Sequence, residues 1–327
     1  MWPGVMVGDR CSGYHTGVRR AYVISHWDLD GLSSAALVCR AYGEDKCRVR
    51  LSSVTAISLN LKHFISKESI KRAYTDLYLL DLNPQQDSVD LVLRVVQDIK
   101  ALNIRIHWYD HHEWGDELKR RVGELGVDVV NDVDSVTAEI TMEKLNLSDE
   151  YSAKLTDLAI DDDKFINRYE LTTYWRRILK WFNWDVRYRA LESFKAGDLW
   201  PKWAQELYDE MKHEYEKLLE EAYYSTIVIR VSDEVSVALS SNIDRRVHAG
   251  DVQAYLIDKG IAADAYIVMY PNSISLRSSS IDVSTVAKEL GGGGHRGASG
   301  IPILASPQST ISRVISILSS NVLRSHY

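Results

Sequence analysis

Tyr109-Asp110-His111-His112-Glu113 follows Ile104-Arg105-Ile106-His107-Trp108, which together with Tyr109 reads as a short buried strand. The acidic and imidazole cluster therefore stands where a strand leaves its sheet, the place where open α/β sheets bind ligands. Side chains at a strand end point in different directions. Two adjacent His beside an Asp can thus divide three roles: a metal ligand, an imidazole facing substrate, and an outer carboxylate that orients a ligand. Taken alone, the same residues also fit two surface His in a turn.

Three other element ends answer the cluster. The predicted strand Tyr22-Val23-Ile24-Ser25 runs into His26-Trp27-Asp28-Leu29-Asp30-Gly31, with a His and two Asp at every second position. If the extension persists, alternation turns those three side chains to one face. The strand Leu77-Tyr78-Leu79-Leu80 ends in Asp81, and the apolar helix Leu155 to Ile160 runs into Asp161-Asp162-Asp163.

In that order, His26-x-Asp28-x-Asp30, Asp81, Asp110-His111-His112 and Asp161 resemble the four motifs of the DHH phosphoesterase superfamily. Gly291-Gly292-Gly293-Gly294-His295-Arg296-Gly297-Ala298-Ser299-Gly300 resembles the glycine-rich signature of the DHH-associated substrate domain, and Arg277-Ser278-Ser279 with Ile281-Asp282-Val283 resembles its second signature. The resemblance implies two divalent ions, one held by His26, Asp28 and Asp81 and the other by Asp30, Asp81, His111 and Asp161. His112 would touch the scissile phosphate, Asp110 would orient a ligand, and Asp81 would bridge the ions. Arg277, Ser278, Gly292, Gly293, Gly294 and His295 would hold substrate. Mixed imidazole and carboxylate ligands suit Mn²⁺ best, with Mg²⁺, Co²⁺ or Zn²⁺ as alternatives. Two metals at one phosphodiester meet the difficulty of its chemistry, a negative charge that repels nucleophiles and a poor leaving alkoxide.

Strands alternating with helices predict an α/β fold: a parallel-sheet N-terminal DHH domain and a smaller mixed α/β C-terminal substrate domain. The expected boundaries are 1–190 for the first, with a leader to residue 20 and a Trp- and Arg-rich helical insertion at 166–203. A helical linker follows at 191–224, where a hinge could open the cleft, and the second domain covers 225–327. Asn131 to Ser135 reads as the cap of the next helix, with Asp134 and Ser135 as capping residues. Ser135, Thr137 and Glu139 also fall where the family has a Ser/Thr-x-x-Glu segment near its site.

The insertion holds Trp175, Trp181, Trp184, Trp200 and Trp203 among Arg176, Arg177, Lys180, Arg187 and Arg189. Helical spacing favours a buried aromatic face with Arg outside. A base-stacking platform or a docking surface for a protein partner would use the same residues. The charged helix Lys202 to Tyr224 is suited to spanning between domains.

A net charge of −7 over 327 residues does not suggest a general nucleic-acid coat, so any polyanion site must be local. The three Cys lack metal-type spacing, which suggests a reduced cytoplasmic interior, with Cys39 as plain core. No run of ~20 apolar residues is present, and no membrane partner is expected. The leading functional reading is a metal-dependent phosphodiesterase or exonuclease that removes mononucleotides from short or single-stranded RNA or DNA, similar to nanoRNases and RecJ-like exonucleases. The alternatives are a 3',5'-bisphosphonucleotide phosphatase, a cyclic-dinucleotide phosphodiesterase, and a non-catalytic RecJ-like scaffold in a replication or repair assembly. A helicase or replisome protein could dock on the Trp-rich insertion.

Overall fold

The computed structural model describes residues 18–68, 74–84, 88–233, 235–303 and 306–324. Most of the expected leader, with Cys11, lies outside the described residues. Arg19 and Arg20 are tied down: the Arg19 guanidinium meets Asp76 at 3.3 Å and Arg20 N donates to Thr75 Oγ1.

The first half alternates strand and helix. β1 (Ala21–His26), α1 (Leu29–Tyr42), β2 (Cys47–Ser52), α2 (Ile57–His63), β3 (Asp76–Leu80), α3 (Val89–Lys100), β4 (Arg105–Asp110), α4 (Asp116–Glu124) and β5 (Asp128–Asn131) build a five-stranded sheet of order β2-β1-β3-β4-β5, with every pair parallel. Helices cover both faces, which is why β3 is buried throughout and reads as a continuous apolar run. Tyr22, Ile24, Leu77 and Leu79 face α2 and α3. Val23, Tyr78 and Leu80 face α1 and the helices that follow it. α3 shows an apolar stripe, with Val92, Val95, Val96 and Ile99 buried at helical spacing.

The chain steps from β1 outward to β2 and then back to β3, so the sheet reverses direction between β1 and β3, and a crevice opens at their carboxyl ends. Ser25 pairs with Leu80, and Leu80 with Tyr109. This register sets His26, Asp81 and Asp110 side by side at the carboxyl edge of the sheet.

α5 (Thr137–Lys144) and α6 (Glu150–Asp163) complete this layer, and α7 (Glu170–Trp181), α8 (Trp184–Lys195) and α9 (Lys202–Tyr224) follow. Trp175 is fully buried, edge-on to Phe194 and Trp200, in line with a buried aromatic face. α9 is more than a charged spacer. Met211, Tyr215, Leu219 and Ala222 form a buried stripe opposite its glutamates and join one apolar core that runs from α1 to the second sheet.

That sheet has six strands in the order β10-β11-β9-β8-β7-β6. It comprises β6 (Thr226–Arg230), β7 (Ser236–Ser240), β8 (Ala265–Met269), β9 (Ser273–Arg277), β10 (Gly293–His295) and β11 (Ala298–Pro302), with α10 (Ala249–Asp258), α11 (Val283–Glu289) and α12 (Pro307–Arg324). β7 and β8 are parallel and the other neighbours antiparallel, so the sheet is mixed. β8 and β9 form a hairpin around Pro271-Asn272.

Cys39 is bonded to Cys47, joining the end of α1 to the start of β2. This corrects the reading of Cys39 as plain core, and a cystine is the redox state opposite to the one expected. Spacing alone could not show it, since the link depends on α1 returning antiparallel to the edge strand. Among the described residues no helix is long and apolar enough to cross a membrane.

Candidate metal centre

The first motif does not converge by strand alternation. β1 ends at His26 and α1 begins at Leu29, so Asp28 sits in the turn as the helix N-cap. Its Oδ1 accepts from Gly31 N at 3.0 Å and its Oδ2 meets His26 Nδ1 at 2.7 Å. Asp30 lies in the first helical turn, buried, where it accepts from Thr137 N at 2.9 Å and Ala138 N at 2.8 Å. Asp30 thus caps α5 from more than one hundred residues away, and Asp134 and Ser135 do not: both donate to Asp132 instead.

Asp81 stands between the two groups with φ +56°, a left-handed conformation that Asp tolerates better than most residues. Both of its carboxylate oxygens are buried without a hydrogen-bond donor. His111 Nε2 stands off at 3.4 Å and His26 Nδ1 at 3.5 Å. His26, Asp28 and Asp81 bring their donor atoms within 4.8 Å of one another, and so do Asp30, Asp81 and His111. Of the four donor groups that meet this distance among the described residues, these two share one stranded carboxylate and fit a pair of divalent ions.

The electrostatics agree. Burial and the neighbouring Asp28 raise the pKa of Asp81, and burial with Asp81 raises that of Asp30 well above the carboxylate range. Burial opposes charge on the imidazoles, yet Asp28 and then Asp81 lift His26 to about 10, while Asp81, Asp163 and Asp30 lift His111 to about 11. Crowded carboxylates thus favour positive charge among them.

Asp110 is fully buried. One oxygen meets His112 Nδ1 at 2.8 Å and the other accepts from Trp114 Nε1. It orients His112 and raises its pKa, against the effect of burial, to about 9.

The fourth motif differs from expectation. Asp161 accepts from Arg168 N at 2.8 Å and Tyr169 N at 3.2 Å, closing the turn after α6, and so points away from the cluster. Asp162 pairs with Arg176 Nε at 2.6 Å. Asp163 is the residue of this run that reaches the cluster, with Oδ1 3.6 Å from His111 Nε2. Successive helical residues are turned by ~100°, so three consecutive Asp face three different partners. Asp163→Asn is expected to weaken Mn²⁺ binding by about tenfold or more in calorimetric titration. Asp161→Asn is expected to lower stability by about 1–3 kcal/mol in urea unfolding, with metal affinity retained. The reverse pattern would restore Asp161 as the ligand.

The glycine signature reaches the same place from the second sheet. His295 stacks on His112 with ring centroids 4.8 Å apart and lies 4.9 Å from His111. Burial and these two rings depress its pKa to about 4, although Asp163 acts the other way. The exposed pair Glu113–Lys288, at 2.6 Å, joins the loop after β4 to α11.

A cleft of about 380 Å³ lies between the two sheets, lined by Asp28, Asp81, His112 and Asp163 on one side and by Arg277, Gly293, Gly294 and His295 on the other. Gly292 and Ser278 do not line it. Gly292 packs against the Gly300 backbone, where a Cβ would overlap the Gly300 carbonyl. Ser278 Oγ donates to Asp264 O and accepts from Ser280 N and Ile281 N, so it shapes a turn. The glycine run forms the β10–β11 hairpin.

Sequence reasoning missed Trp27, Phe165 and His248, which also line the cleft, and named Lys180 only among the cations of the insertion, without placing it here. For Lys180 a signal existed, since Arg176 and Lys180 lie one turn apart on α7. For Phe165 and His248 none did. Phe165 reaches the cleft from the turn after α6, and His248 does so as the cap of α10, where Nδ1 accepts from Gly250 N.

No family model and no curated protein matches the chain in sequence. Solved structures do match it in shape. The RecJ from Thermus thermophilus, solved with Mn²⁺, superposes with a TM-score of 0.60 at 14% identity, over 93% of this chain and 52% of that one, so this chain spans about half of that RecJ. A DHH-domain protein described as a member of the s1p family of ribosomal proteins gives 0.58 at 13% identity, covering 92% and 87%. The pGpG-specific phosphodiesterase PggH from Vibrio cholerae gives 0.53 at 10% identity, covering 94% and 99%. With its parallel sheet and mixed second sheet, the chain shares the fold of this DHH-domain protein and of the matching part of RecJ.

Proposed function

We propose that the chain is a metal-dependent phosphodiesterase that releases mononucleotides from short or single-stranded oligonucleotides, RNA or DNA. The carrying observation is the carboxylate of Asp81, buried without a donor between two ligand sets. It faces Arg277 and the Gly293-to-His295 edge across one cleft. An acidic wall that can hold cations, opposite a wall of cationic and backbone donors, suits a phosphodiester. That the RecJ and PggH neighbours share the fold supports the same class of substrate.

In this reading His26, Asp28 and Asp81 hold one ion and Asp30, Asp81, His111 and Asp163 the other, with Mn²⁺ preferred and Mg²⁺, Co²⁺ or Zn²⁺ as substitutes. The ions supply Lewis acidity at the phosphate and favour attack by water. The remaining work belongs to the chain. α5 pins Asp30 through two amides, and Asp110 holds His112 by Nδ1, which leaves Nε2 for a phosphoryl oxygen. Arg277, whose buried Nε has no partner, and the β10–β11 hairpin bind the substrate phosphate. Residues 1–190 would then carry the chemistry and 225–327 the grip on substrate, joined by 191–224.

Hydrolysis of end-labelled RNA and DNA from dinucleotides to about thirty nucleotides, with Mn²⁺, tests the proposal. Release of mononucleotides is the expected result. Cleavage confined to a 3',5'-bisphosphonucleotide or to cyclic dinucleotides would move the assignment to a neighbouring phosphoesterase. No turnover of any of these would overturn it in favour of a scaffold.

A further inference from the structure

α7 and α8 carry a group of side chains that the metal chemistry does not use. Arg187 lies between two indoles, its guanidinium 3.8 Å from the Trp27 ring centroid and 4.9 Å from that of Trp184. Its Nε and Nη2 both donate to Leu179 O at 3.1 Å, so the end of α7 fixes the fork. Lys180, at the end of α7, lines the cleft with the Tyr270 ring 5.5 Å away. Burial lowers the Arg187 pKa, Asp28 acts the other way from farther off, and among the described residues neither cation has a carboxylate within ion-pair distance. Other arginines of this region do: Arg176 and Arg177 both meet Asp251, and Arg246 meets Glu214 and Asp244.

Two unpaired cations close to each other and to Arg277 are unfavourable in an isolated chain. Burial, then Arg187 and Arg277, push the Lys180 pKa down. In an acidic protein such a group calls for an external anion. The aromatic partners say which kind. Trp27 lies between His26 and Asp28 and lines the cleft, so one indole borders the metal cluster. Trp184 is 42% exposed and carries the stack outward to solvent. A run of indole, guanidinium and indole with an ammonium beside it matches the alternation of flat bases and phosphates in a single strand. A protein-docking surface would also use Trp and Arg, but a central lysine such as Lys180 is disfavoured there.

We propose that Trp27, Arg187 and Trp184, with Lys180 alongside, form a subsite for the part of a single-stranded nucleic acid that lies beyond the nucleotide being cleaved. The proposal rests on the phosphodiesterase reading for its place in the reaction, but its test does not.

The test is fluorescence anisotropy of labelled decathymidylate on the full chain in EDTA, which records binding without turnover. Trp184→Ala, an exposed change that leaves the core intact, and Arg187→Ala are each expected to weaken binding at least about fivefold, the lower end of what base stacking contributes. Arg187→Ala should also reduce the slope of log affinity against log salt by about one. Arg187→Lys keeps the charge and loses the planar stack, so it should restore the salt slope but only part of the affinity. In hydrolysis with Mn²⁺, the ratio of decamer to dinucleotide kcat/KM should fall with the binding loss. Unchanged decamer binding in all three variants would overturn the subsite and leave the ladder to a protein partner. If no oligonucleotide is hydrolysed, the phosphodiesterase reading fails, while the anisotropy still decides the subsite.

Discussion

Asp81→Asn is expected to abolish hydrolysis while leaving the metal-free chain at least as stable as the wild type. Asn keeps the size of the side chain and tolerates the φ of +56°, so the change removes charge and little else. Asp81 is the one carboxylate shared by both ligand sets, and loss of its charge weakens both. The fall in kcat/KM should exceed the ~10–100-fold cost of removing an outer partner of a metal ligand. Stability should move the other way. In the wild type both carboxylate oxygens are buried without donors, and burial with Asp28 nearby raises the pKa, so the charged form is held at a cost. Mn²⁺ should raise the Tm of the wild type and leave that of the variant nearly unchanged, because ligand stabilisation follows affinity for the folded state. A variant that keeps its Mn²⁺-dependent rise in Tm would remove Asp81 from its central role.

Gly31→Ala is expected to be among the most damaging single methyl groups in the chain, contrary to helix propensity. Gly31 lies within α1, where alanine would ordinarily stabilise by ~1 kcal/mol. Here a Cβ would lie 2.6 Å from the carbonyl carbon of His26 and 2.9 Å from its Cα, in backbone that cannot turn aside. The same turn is closed by Gly31 N to Asp28 Oδ1 and by Ser25 Oγ to Gly31 O. Forcing it open displaces His26, Asp28 and Asp30 together. A loss of about 3 kcal/mol in urea unfolding is expected, with Mn²⁺ binding lost as well. Gly115→Ala is the control, since nothing lies within 4 Å of its added Cβ, and it should leave both measurements near wild type. Wild-type stability in Gly31→Ala would show that the β1–α1 turn has room to spare.

Much of the site could be read because its residues mark the ends of strands. Apolar runs define β1, β3 and β4, and the polar residue just past a parallel strand has few places to go but the crevice. His26, Asp81 and the Asp110-His111-His112 run therefore assemble once the strands pair in register. Helix α6 carries no such constraint. Asp161, Asp162 and Asp163 are equivalent in composition, and the rotation of α6 together with the reversal at Phe165 decides that Asp163 meets His111. Asp30 shows the same limit. Local sequence made Asp134 and Ser135 the caps of α5, whereas packing of α1 against α5 brings in a carboxylate that satisfies the helix amides.

Periodicity and the chemistry of side chains close together in the chain were enough to specify the alternation of strands and helices, the parallel first sheet and the mixed second one. Together with the family resemblance, they pointed to strand-end residues as candidate metal ligands. Contacts between distant segments needed the folded chain: His295 stacked on His112, Cys39 bonded to Cys47, and Arg187 between Trp27 and Trp184. Each of those depends on how two elements are rotated and set against each other. That is determined by the packing of whole buried faces, and no short stretch of sequence records it.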